Sequence, residues 1–400
     1  MTSFEHDAEP SNAGALMLAC ARLELEPHDA SRARAAIKHG IDWDHFVPLA
    51  NHHGVLPLIH RHLSTGALDA ALIPVAAVAA LRDEATRIAR RNLMLSGQLA
   101  TLLRAFATRN IRVVALKGPV LAQQLYGSVA LRRFKDLDLL VAEPDVGDAM
   151  DAIAACGYAR PVSLGPDIDA LRRHEQHHIA LDANSGTHQV ELHDCLHPHD
   201  DGRRRTIDLI ADRLERIDVF GVTAFVMAPE ELLVYLCVHG TRHNWERIEW
   251  AASVAQLLRS GRVTDWRRAN ACAQRQASER AFRSGLQVVS ALFDTRIPGA
   301  VSRRDRALEA SARAIANQRA TAPARRANPV ECLVHQLRTD TGIRSRITRL
   351  WRTLIAPRVN DAIAMPLPRA LWPLYYVLRP VRVLVRHMAG KHRVNPIVPE

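Results

Sequence analysis

The chain has 400 residues, 48% of them hydrophobic and 24% charged, with a formal net charge of +11. This is an ordinary globular composition, large enough for two or three domains or for one catalytic core with helical additions. The positive charge is concentrated at one end: the last hundred residues carry 19 Lys and Arg against 6 Asp and Glu, the first three hundred 34 against 36.

The start, Met1 to Pro10, carries acids where a signal peptide needs a basic segment and an apolar run. The apolar stretch Leu371 to Leu378 is broken by Pro373 and stopped by Arg379, too short to span a bilayer. Six cysteines, Cys20, Cys156, Cys195, Cys237, Cys272 and Cys332, have no CxxC spacing and read as free thiols. The expectation is a cytoplasmic protein without stable membrane insertion.

Apolar residues at three- and four-residue spacing predict helices over 13–39, 43–64 and 75–109. The pattern changes at Ile111. The β-branched run IRVVALKG reads as a strand and turn. Pro119 then suits the first turn of a helix that Gly127 closes. LRRFKDLDLLVA reads as a second strand, and DVGDAMDAIAACG as a helix stopped by Gly157. HHIALDA and THQVELH, separated by NSG, predict a hairpin. From Ala228 the pattern is helical again, over 228–243, 247–259 and 264–292, and a loop at 319–329 precedes a last basic segment.

The chemistry concentrates at Asp136-Leu137-Asp138. Side chains alternate along a strand, so both carboxylates share one face while Leu137, Leu139 and Val141 turn to a core. Adjacent carboxylates repel, and a hard cation such as Mg²⁺ removes that cost. Two Mg²⁺ ions could serve the attacking and leaving oxygens of a phosphoryl displacement. Glu191 in QVELH is the candidate third carboxylate, and alternation places His193 on its face. His193 is a candidate to orient Glu191 or touch a phosphate, or a structural histidine.

Lys117-Gly118 stands between strand and helix, where a glycine lets the backbone approach a phosphate and the helix start favours an anion. Lys117 is one of only four lysines, with Lys38, Lys135 and Lys391. Arg132 and Arg133 add charge just before the carboxylate pair. Histidines 174, 177, 178, 188, 193, 197 and 199 could supply zinc ligands, but no Cys pair accompanies them. His239 and His243 share a helical face and read as packing near the cleft. Trp245 and Trp250 read as core, with stacking on a base as the lesser alternative. Arg379, Arg382 and Arg386 suggest a docking or substrate-steering patch on a basic helix.

The stretch LKGPVLAQQLYGSVALRRFKDLDLLV resembles the uncharacterised nucleotidyltransferase family of the polymerase-β superfamily, through Leu116, Lys117, Gly118, Tyr126, Gly127, Arg132 and Asp136 to Val141. VELH at 190–193, the helical 232–250 and the tail LYYVLRPVRVL look like later family elements, so the resemblance runs from about 43–57 to the end. It implies an α+β fold: a polymerase-β-type core with a small mixed sheet and helices, two Mg²⁺ ions and a nucleoside triphosphate donor such as ATP. Two departures stand out. Pro119 replaces a phosphate-binding Ser, and Ala251-Ala252-Ser253-Val254 lacks an Asp common in the family.

The expected organisation is a helical module at 1–99, a catalytic core at 100–222 and a helical module at 223–400. In the expected mechanism Asp136, Asp138 and Glu191 are catalytic and hold the metals, and Glu191 also accepts a proton. Lys117, Gly118, Arg132 and His193 bind the triphosphate. A nucleoside monophosphate passes to a hydroxyl or phosphate acceptor on a small molecule, sugar, peptide, protein or RNA, and pyrophosphate leaves. Three alternatives stay open at this level: kinase-like phosphoryl transfer, an RNA-modifying or toxin-like enzyme, and a non-catalytic interaction protein with a relic site. The sequence does not fix the oligomeric state.

Overall fold

The computed structural model describes residues 10–160, 178–197, 204–298, 305–325 and 329–388. Four short helices, α1 (Asn12–Cys20), α2 (Pro27–Lys38), α3 (Trp43–His52) and α4 (Leu56–Ser64), lead into the long α5 (Val75–Thr108). Each of the first two expected helices is therefore two. Pro27, without an N–H, starts α2, and Gly54 at φ +72° turns the chain between α3 and α4. Ser11 and Asp42 cap α1 and α3 by accepting the N–H groups of Gly14 and His45.

Then come β1 (Val114–Ala115), α6 (Gly118–Tyr126), β2 (Asp136–Leu140), α7 (Val146–Ala155), β3 (Tyr158–Ala159), β4 (His178–Ala183) and β5 (Gln189–His193). A hairpin follows, β6 (Leu214–Val219) and β7 (Val222–Met227). The described strands form a seven-stranded mixed sheet in the order β3-β4-β5-β2-β1-β7-β6. The strand expected from Ile111 is confined to two residues. The β6–β7 hairpin was not anticipated: it crosses residue 222, and Phe225 pairs in parallel with Val114.

The sheet separates two apolar layers. On one side Leu137, Leu139, Val141, Val190 and Leu192 pack with α5, through Leu95, Leu99, Leu103 and Phe106, and with Ile153 of α7. On the other, Leu140, Val114 and Leu116 join a cluster running from Leu16 to Ala316. That cluster holds α8 (Pro229–Arg242), α9 (Ile248–Arg259), α10 (Trp266–Arg275), α11 (Glu279–Phe293) and α12 (Arg306–Thr321). The helices before residue 99 and after residue 223 thus share one core. Where α1 meets α12, a Cβ on Gly14 would lie 1.9 Å from the Ala320 carbonyl oxygen, so only glycine permits the approach.

Short helices follow: α13 (Pro329–Thr339), α14 (Ile343–Leu354), α15 (Val359–Ala364) and α16 (Tyr375–Met388). Arg379 and Arg382 do not form a free docking patch. Both turn inward to the buried Asp361 carboxylate, and Arg379 also donates to the Thr353 carbonyl at 2.7 Å. The Arg386 side chain lies outside the described residues. No described helix is long and apolar enough to cross a membrane. All six cysteines are unpaired, and Cys20, Cys195, Cys237 and Cys272 are buried.

Candidate active site

Strand register builds the site. β2 and β5 run parallel, with Asp136 opposite Gln189, Asp138 opposite Glu191 and Leu140 opposite His193. Paired residues on neighbouring strands point to the same face, so Asp136, Asp138, Glu191 and His193 share the side away from α5. β4 pairs antiparallel with β5 and sets His178 opposite His193 on that same face. Asn92 of α5 fixes the approach to β2, donating to the carbonyls of Val129 and Arg132 at 2.6 and 2.7 Å.

Lys117 enters from the end of β1. The Leu116 N–H donates to the Asp138 carbonyl at 3.0 Å, and this places the Lys117 ammonium 3.1 Å from Asp138 Oδ1. Gly118 follows at φ +66°, a backbone state that L side chains rarely adopt and that starts α6 at this point. Arg132 is buried and its Nε donates to Ser253 Oγ at 3.3 Å. Ser253 stands within the run where the family resemblance leads one to expect an Asp. Arg132 therefore meets a hydroxyl there, not a carboxylate.

The electrostatics are unequal along β2. Burial and the neighbouring Asp138 carboxylate push Asp136 up to about 7. Burial would also raise Asp138, but Lys117 and His193 outweigh it and hold that carboxyl below the usual range. Lys117 itself is raised, because Asp138 overcomes its desolvation. Burial favours neutral His193, yet Asp138 and Glu191 outweigh it and raise its affinity for a proton. Its Nε2 lies 3.5 Å from both Asp138 Oδ1 and Glu191 Oε2.

These groups open onto a cavity of about 550 Å³. Its cationic lining comprises Lys117, Arg132, Arg133, Lys135, Arg242 and Arg247. The opposite wall comes from α8 and the segment leading into α9. Tyr235 stacks on His197 with ring centroids 4.8 Å apart, and His239 meets His243 at 4.7 Å and Trp250 at 5.4 Å. Burial, with the Lys117 charge nearby, keeps His239 neutral far below its ordinary range, while His243 is exposed at the cavity mouth. Trp250 is thus a cavity residue, whereas Trp245 is fully buried as expected.

The structure brings together every residue singled out for catalysis or binding: Asp136, Asp138, Glu191, Lys117, Gly118, Arg132 and His193. Of the candidate zinc histidines, His178 and His193 converge, while His188 contacts Tyr158 Oη at 2.9 Å. His174, His177 and His199 lie outside the described residues. His239 and His243 lie at the cavity, as their shared helical face near the cleft led one to expect; the omission was Tyr235, whose placement depends on how α8 packs across the sheet.

A family model described as an uncharacterised nucleotidyltransferase matches residues 39–294. The match covers the sheet, the cavity and the α8 wall, and ends before the basic C-terminal segment. No curated protein and no solved structure matches the chain.

Proposed function

The chain belongs to the uncharacterised nucleotidyltransferase family, and on that premise we propose that it is a Mg²⁺-dependent enzyme moving a nucleoside monophosphate from an NTP to an acceptor. One observation carries this reading: Asp138 and Glu191 sit in register on adjacent parallel strands, with Asp136 beside them, facing a cavity rich in Lys and Arg. Three carboxylates converging on one space are an oxygen donor set that suits Mg²⁺. Asp136, Asp138 and Glu191 would hold the metal, which when bound supplies the positive charge that lets phosphate oxygens approach them.

The chain's own groups do the rest. Lys117 neutralises Asp138 within the sheet, keeping one carboxylate ionised and fixed in place. Arg133, Lys135, Arg242 and Arg247 give the cavity the positive potential a triphosphate requires. The start of α6 at Gly118 adds backbone N–H groups at the cavity edge. The faces of Trp250 and His243 offer flat surfaces for a base. In the reaction the acceptor oxygen bonds to the α-phosphorus, the bond from that phosphorus to the β-bridging oxygen breaks, and pyrophosphate leaves. The acceptor's proton departs through water.

The test uses the full chain with NTPs labelled at either end and a cell extract as acceptor source. Nucleotidyl transfer places the α-label on a product and releases the γ-label in pyrophosphate. Transfer of the γ-label alone would overturn the reading in favour of kinase-like chemistry.

A further inference from the structure

We propose that His178, Glu191 and His193 form a binding site for a late first-row divalent metal ion, such as Zn²⁺ or Co²⁺, beside the Asp136–Asp138 pair. The inference rests on the reading of the cavity as a nucleotidyltransferase centre and deepens it, by giving one metal position imidazole donors.

The hairpin enforces the arrangement. His178 and His193 are directly paired across β4 and β5, and Glu191 is two residues back on the same face. One donor atom from each of the three lies within 4.8 Å of the others. His178 Nε2 is 3.8 Å from Glu191 Oε1, and His193 Nε2 is 3.5 Å from Glu191 Oε2. Donors about 2.0–2.2 Å from a shared tetrahedral ion stand roughly 3.3–3.6 Å apart, so small side-chain rotations complete the set. Asp138 Oδ1, 3.5 Å from His193 Nε2, is a fourth donor at the same place.

A second observation points to a ligand. His193 Nε2 is buried and stands 3.5 Å from each of two carboxylates, beyond the length of a well-formed hydrogen bond to either. A buried polar atom so loosely paired is costly, and a metal ion between these groups would give all of them a close partner. Nitrogen donors also decide the metal class. Mg²⁺ takes oxygen ligands, whereas neutral imidazole suits Zn²⁺, Fe²⁺, Co²⁺ and Ni²⁺. If the histidines were charge partners only, replacing them would not alter metal preference.

The test is calorimetric titration of the EDTA-stripped full chain with Zn²⁺ and, separately, Mg²⁺, alongside the visible spectrum with Co²⁺. The expected result is one equivalent of Zn²⁺ bound about 100-fold or more tighter than Mg²⁺, and Co²⁺ bands characteristic of nitrogen ligation. His178→Ala and the milder His178→Asn, each shown to be folded by circular dichroism, should weaken Zn²⁺ at least about tenfold and leave Mg²⁺ within about twofold. Equal Zn²⁺ and Mg²⁺ affinity, or Zn²⁺ binding unchanged in both variants, overturns the inference while leaving the Mg²⁺-dependent nucleotide reading intact. A wild-type chain that binds neither metal, even with NTP present, removes both.

Discussion

His53 joins three parts of the chain, and its protonation should loosen them. The residue is fully buried after α3. Its Nε2 faces the Pro323 carbonyl at 2.9 Å, and its Nδ1 faces the Ile248 N–H at 3.4 Å. Its own carbonyl accepts the Glu249 N–H at 3.1 Å. A ring that donates through Nε2 and accepts at Nδ1 must be the neutral tautomer, so protonation breaks the contact to Ile248. Burial, resisted by the Pro323 carbonyl, takes this histidine from 6.5 to about 3. Below pH 6.5 the unfolded chain therefore binds a proton that the folded chain refuses. Stability is fully present above that pH and is lost as pH falls toward 3. At pH 5, 1.5 units below 6.5, the loss is about 2 kcal/mol, at 1.36 kcal/mol per unit. Urea unfolding of wild type and His53→Gln at pH 7 and pH 5 isolates this contribution, because the other histidines cancel in the difference. Glutamine keeps a donor for Pro323 without titrating. The stability advantage of wild type over the variant should shrink by about 2 kcal/mol between the two pH values. An unchanged difference would refute the assignment of His53 as a buried neutral link.

Two further predictions concern the site and its support. Gly240→Ala should destabilise the protein by about 1–3 kcal/mol in chemical denaturation, since its Cβ would lie 2.4 Å from the Trp245 ring. In metal-free protein, Asp138→Asn should lower the unfolding temperature, because it leaves the Lys117 ammonium without its partner carboxylate; the cost is of the order of 3 kcal/mol. Asp136→Asn should raise it, since Asp136 is crowded by Asp138 and Glu191. Equal shifts for the two variants would show that the carboxylates are electrostatically equivalent.

Much of the site was legible because strand periodicity is rigid. Alternation alone placed Asp136 and Asp138 on one face and Leu137, Leu139 and Val141 on the other. The Asn184-Ser185-Gly186 turn brought Glu191 and His193 into a hairpin, and β5 then paired with β2. The β6–β7 hairpin stayed hidden for a specific reason. Its two-residue turn is Phe220-Gly221, both at positive φ (53° and 70°), and phenylalanine is rarely found where Asn or Asp usually marks such a turn. Pro27 and Gly54 were visible breakers that the helical spacing masked. Helical spacing put His239 and His243 on one face near the cleft, but Tyr235 and Trp250 could not be read from spacing, because only packing of α8 and α9 against the sheet makes them a cavity lining. His178 was legible as a histidine among many; pairing register singled it out.

The most direct test of the central claim is titration of each NTP, with and without Mg²⁺, into wild type and into Asp136→Ala/Asp138→Ala. The account predicts Mg²⁺-dependent binding of at least one NTP by wild type, lost or reduced at least about tenfold in the folded variant, as removal of metal-holding carboxylates requires. Failure of every NTP to bind wild type, or equal binding by wild type and variant, would contradict it.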